Sequence, residues 1–185
     1  MSDLFDRVLS SQQGLEKLLA KIPGFMGYST RKNRRAADKL LRETIANRYE
    51  EQWQRISAVQ RDLISEGGLL FVDDMEAAAV KIRQFIDRIR TASYGYAGFF
   101  DAIKVKEEEL AAIYQYDLNL MTLAEEVGRS IDNVEAALGT DGLKTAIRSL
   151  TKVAQDCVDA FDKRADVIKE LSSGSESENP TPAAG

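Results

Sequence analysis

The chain predicts an all-α fold, an antiparallel bundle of about five helices. Three observations predict it. Pro23, Pro180 and Pro182 are the only prolines, so nothing of that kind interrupts residues 24–179 and long helices are allowed almost throughout. Apolar residues recur three and four positions apart over most of the length. The periodic segments are separated by short glycine-containing connections, which make consecutive helices antiparallel neighbours.

The first helix is read from about Asp3 to Lys21. Its seam is Leu4, Val8, Ser11, Leu15, Leu18 and Ile22, and Pro23 and Gly24 stop it. The second runs from about Arg34 to Ser65, near 50 Å if unbroken. Ala37, Leu41 and Ile45 lead into Tyr49, Gln52, Ile56, Val59 and Leu63, and "EGG" ends it. The third follows "FVDD", with Asp73 or Asp74 as N-cap and Met75, Ala78, Ile82, Phe85, Ile89 and Ala92 as its seam.

The fourth and fifth helices carry heptad seams, each broken once by a charge. One reads Leu110, Ile113, Asp117, Leu120, Ala124, Val127, Ile131, Val134, Leu138. The other reads Leu143, Ile147, Leu150, Ala154, Cys157, Phe161, Arg164, Ile168, Leu171. "GTDG" lies between them as a short turn. Folding the chain there pairs Leu138 with Leu143 and every further seam position with its counterpart. Leu120 then faces Phe161, and the two exceptions coincide: Asp117 faces Arg164. The expectation is a helical hairpin over residues 107–172 with one structural ion pair that fixes register. The bundle domain spans 1–171, and the polar, proline-containing 172–185 is expected to be a disordered tail.

Two connections interleave glycine with aromatics. "IPGFMGYS" holds Phe25 and Tyr28, and "YGYAGFF" holds Tyr94, Tyr96, Phe99 and Phe100. Alternating helices bring both to one end of the bundle. The rings serve there either as a plug over the core or as a partner-binding surface. Beside them "TRKNRR" places Arg31, Lys32, Arg34 and Arg35 at a helix N-terminus, where the macrodipole disfavours positive charge. These four are candidate anion-binding residues; a solvated helix start is the plainer reading.

The composition narrows the function. There is no histidine, and Cys157 is the only cysteine, so the commonest general base and the usual zinc ligands are missing. No catalytic residue, metal ligand or cofactor is assigned, and a non-enzymatic protein is expected. Residues 31–61 carry nine Lys/Arg against four Asp/Glu, while 91–140 carry three against nine. The basic segment also contains Asp38, Glu43, Glu50 and Glu51, which disfavours nucleic acid as a partner. No leader peptide or membrane-spanning run is read, so a cytoplasmic location is expected.

The stretches "KIPGFMGYSTRKNRRAADKLLRE" and "IRTASYGYAGFFDAIKVKEEELAAIYQYDL" resemble a family of uncharacterised bacterial helical proteins associated with flotillin-like (SPFH) membrane-scaffold systems. The resemblance covers about a third of the chain and carries no catalytic residue. The five residues "LFDRV" are also similar to the amphipathic start of phage-shock-type membrane-stress proteins; the rest departs from that pattern. What the resemblance implies is a membrane-associated assembly. The expected function is therefore a scaffold or adaptor that binds another protein, with a homo-oligomer compatible. The alternative is a peripheral component at the inner face of the membrane, binding anionic lipid through the first helix and the Arg31–Arg35 cluster.

Overall fold

A computed structural model describes residues 13–27, 31–66, 68–92 and 107–177. The fold is all-α. The helices are α1 (13–21), α2 (Arg31–Ser65), α3 (Val72–Thr91), α4 (Glu107–Ala137) and α5 (Leu143–Ser177), with a 3₁₀ turn at Leu69–Phe71 before α3. No strand occurs among the described residues. Two boundaries differ from the sequence reading. α2 begins at Arg31, so the basic cluster lies within its first turn. α5 continues to Ser177, so 172–177 is helix where a disordered tail is expected. No proline lies between Leu143 and Pro180, and each residue added to an existing helix gains a hydrogen bond without a new nucleus.

The residues divide into two compact units. Residues 42–91 and 119–161 form one, a four-helix bundle whose directions can be read from its side-chain bonds. Arg42 reaches the carbonyls of Ile89 and Arg90, Arg83 pairs with Glu50, and Gln60 donates to Glu76. Numbers rise on α2 as they fall on α3, so the two are antiparallel. Tyr49 bonds the Leu120 carbonyl and Arg55 bonds Asp132 and Glu135, so α2 and α4 run in the same direction. Lys81 with Gln155 and Phe85 against Phe161 set α3 and α5 in the same direction. This is the up-and-down alternation expected from short connections.

The core of this unit contains Ile56, Val59, Leu63, Met75, Ile82, Phe85, Val127, Ile131, Ile147 and Leu150, all buried. Arg42 is buried too, and its Nη1 lies 3.2 Å from the Ile89 carbonyl and 3.3 Å from that of Arg90. Carbonyls in the last turn of a helix have no partner within the helix, so the guanidinium caps α3 while offsetting its dipole.

The second unit draws its described residues from 13–27, 31–41, 107–118 and 162–177. Its core includes Leu18, Ile22, Phe25, Leu41, Ile113 and Ile168. Gly27 turns the chain at φ +74°, and a Cβ there would lie 2.8 Å from Leu15 Cδ1 and 2.9 Å from Tyr114 Oη. Gly139, at φ +70° in the turn between α4 and α5, has nothing within 4 Å. Both positions carry the left-handed penalty of about 1–2 kcal/mol for a side chain, but only Gly27 adds a clash. Gly27→Ala is expected to lower stability by about 1 kcal/mol more than Gly139→Ala. Urea denaturation of the two variants checks this.

Candidate functional site

The charged interruptions of the two heptad seams meet. Arg164 Nε donates to Asp117 Oδ1 at 2.6 Å, with the two residues 1% and 0% exposed. A second carboxylate joins them: Arg164 Nη2 donates to Asp38 Oδ1 at 3.0 Å. One guanidinium thus ties α2, α4 and α5 together within this unit.

Sequence reasoning missed Asp38, although a signal is present. Asp38, Leu41 and Ile45 are spaced three and four apart, so Asp38 interrupts the α2 seam as Asp117 interrupts that of α4. Arg34, one turn before Asp38 on the same helix face, is buried as well. Among the described residues of this unit, the buried charged side chains are Arg34, Asp38, Asp117 and Arg164.

The other predicted residues divide as follows. Arg35 is exposed, and both it and Arg34 have interaction partners. The side chains of Arg31 and Lys32 lie outside the described residues, as do Tyr28, Tyr94, Tyr96, Phe99 and Phe100. Phe25 is placed, and its ring lies in the core of its unit. It is 1% exposed and meets Tyr114 edge-on, ring centroids 6.4 Å apart, because an aromatic ring gains more from burial than from solvent contact. Its neighbour Met26 faces outward, 73% exposed.

In the four-helix unit the buried polar groups are equally committed. The Tyr49 hydroxyl donates to the Leu120 carbonyl at 3.0 Å and lies 3.3 Å from Cys157 Sγ. The Cys157 thiol lies 3.1 Å from the Val153 carbonyl. Burial raises Tyr49 well above 10.0, with Cys157 and Glu126 adding to the shift. Burial also pushes the Cys157 thiol up to about 12, against a partial offset from the Tyr49 hydrogen bond. A thiol held neutral is a poor nucleophile. Among the described residues, no three carboxylate, thiol or imidazole groups gather into a metal-binding set.

This unit also turns several large apolar side chains outward. Leu69 and Leu70, in the 3₁₀ turn, are 65% and 90% exposed, and Ile64 and Val80 are exposed nearby in sequence. Between α2 and α3 lies a groove of about 290 Å³, lined by Trp53, Ser57, Gln60, Glu76, Ala79, Val80, Arg83 and Gln84. The Arg83 guanidinium lies 5.2 Å from the centre of the Trp53 ring and bonds Glu50 at 3.2 Å. That volume sits at the lower limit for small-molecule sites.

Two predictions follow from the buried groups. Arg164–Asp117 and the part-exposed Arg55–Asp132 pair have the same 2.6 Å separation and differ chiefly in burial. Arg164→Met, which strands buried carboxylates, is expected to cost about 3–5 kcal/mol, and Arg55→Met about 0.2–1 kcal/mol, in chemical denaturation. The second prediction concerns alkaline pH. The Cys157 thiol ionises near 9.0 when unfolded and near 12 when folded. The unfolded chain therefore holds fewer protons between those values. This contribution is fully present below pH 9.0 and is lost as pH rises toward 12. Between about pH 8 and 10.5 the parent should lose about 2 kcal/mol more stability than Cys157→Ala, measured by urea midpoints at each pH.

No protein-family model, curated protein or solved structure matches this chain.

Proposed function

We propose that the chain is a non-enzymatic scaffold or adaptor, acting through contacts made by its helices and connections. The observation that carries this reading is the outward placement of large apolar side chains at connections, Met26 after α1 and Leu69 and Leu70 before α3. Apolar groups at turns gain nothing for the fold when left in water, and each forgoes about 1.5–3 kcal/mol of burial. A partner that covers them recovers it. The interior supports the same reading. Arg164, Asp38, Asp117, Arg42, Tyr49 and Cys157 are committed to bonds that hold helices together. Among the described residues no helix is long and apolar enough to cross a membrane.

The alternative, an anionic lipid surface, supplies the test. In-cell cross-linking followed by mass spectrometry should give a defined protein partner joined to exposed positions of this chain. Phosphatidylglycerol vesicles should fail to co-sediment it at low salt. Salt-sensitive sedimentation that is lost on Arg31→Gln/Arg35→Gln would instead make the chain a lipid-binding component.

A further inference from the structure

The half-buried residues that line the α2–α3 groove and the exposed apolar residues beside them form a pattern. Trp53, Ser57, Gln60 and Ile64 fall four, three and four positions apart, so they share one face of α2. Glu76, Val80 and Arg83 share one face of α3, and both faces line the same groove apart from Ile64, one turn beyond Gln60. At the connection the 3₁₀ turn adds Leu69 and Leu70. The turn is tightly built: the Gly68 amide donates to the Leu63 carbonyl at 2.7 Å, and the Phe71 amide donates to the Gly68 carbonyl at 3.0 Å. A Cβ on Gly68 would come within 3.0 Å of Leu63 Cδ2 and 3.1 Å of Leu63 O. The two leucines are thus held outward by backbone geometry. From Trp53 to Ile64 the α2 face runs about 16 Å, roughly three helical turns.

At the connection end of this face, away from Arg83, the charge has one sign. From Asp62 to Glu76 the sequence has five carboxylates and no lysine or arginine. Glu66, Asp73, Asp74 and Glu76 are all exposed. Asp73 and Asp74 also suit the N-terminus of α3, but Glu66 follows the C-terminus of α2, where the macrodipole disfavours it. An acidic collar around an apolar face repels anionic lipid. It also opposes the juxtaposition of this face with itself in a second copy.

Resting on the adaptor reading above, we propose that the α2–α3 face receives an amphipathic helix of a partner protein. That helix presents a leucine-rich stripe flanked by lysine or arginine. Its apolar stripe covers Trp53, Ile64, Val80, Leu69 and Leu70, and its basic flanks meet the carboxylate collar. This is helix-in-groove recognition, with charge setting the choice of partner and burial supplying affinity.

The test uses the full chain and two labelled fourteen-residue amphipathic peptides, one of leucine and lysine and a twin of leucine and glutamate, read by fluorescence anisotropy. The leucine–lysine peptide should bind at least about tenfold more tightly than its twin. Leu69→Ser/Leu70→Ser should weaken it by about tenfold or more with an unchanged thermal midpoint, and raised salt should also weaken it. Equal binding of the twins, or unchanged binding to the serine variant, overturns the proposal. So does sedimentation with phosphatidylcholine vesicles, or self-association in the ultracentrifuge, that depends on Leu69 and Leu70. If the peptides fail while in-cell cross-links map to other faces, this site falls and the adaptor reading stands.

Discussion

Three helices of one unit depend on a single guanidinium. Arg164 lies out of water between Asp38 and Asp117, one carboxylate from α2 and one from α4, with α5 supplying the arginine. Desolvating those charges is costly, and the attraction between them does little more than offset it. The gain is in uniqueness. Moving any of the three helices by one residue turns its charge by about 100° and strands it against apolar neighbours. Leucine and isoleucine seams tolerate such slips far better, since one apolar side chain substitutes for another at modest cost. The buried ions therefore decide which of several apolar packings is the native one. Arg34, one turn before Asp38 on α2, is buried as well.

The four-helix unit ties its helices together through hydrogen bonds of buried side chains. Tyr49 reaches a backbone carbonyl of α4 and the thiol of α5, so one hydroxyl relates three helices. Arg42 spends its guanidinium on the last carbonyls of α3. Ionic pairs such as Arg55–Asp132 and Arg83–Glu50 lie toward solvent, where water screens them and they add little. Several large apolar side chains of this unit are left exposed. Leu69 and Leu70 are the clearest of them.

The long helices and their directions were legible because periodicity and the scarcity of proline act locally. The Asp117–Arg164 pair was legible because a tight turn between two heptad seams converts sequence position into spatial position. Asp38 was not. Its helix is joined to α4 and α5 by no short turn, so no arithmetic relates their registers, and a lone Asp in a basic segment looks like a surface charge. Phe25 and Met26 show a further limit. They are adjacent, and both sit in a glycine-rich connection, yet one is core and the other exposed. Periodicity fails where the chain is irregular, and the left-handed Gly24 and Gly27 set the directions instead. Leu69 and Leu70 were hidden for the reverse reason, since an apolar run before a helix reads as core until the tightness of the 3₁₀ turn is known. The extension of α5 to Ser177 was concealed by a polar composition that is equally compatible with coil.

The role of Arg164 can be observed at its own nitrogen. With arginine side chains labelled with ¹⁵N, the Nε–H of Arg164 donates a 2.6 Å bond to a buried carboxylate. Its solvent exchange should be orders of magnitude slower than that of an exposed arginine, and its resonance should move on Asp117→Asn. An Arg164 Nε–H that exchanges like an exposed one, with a resonance indifferent to position 117, would contradict the account.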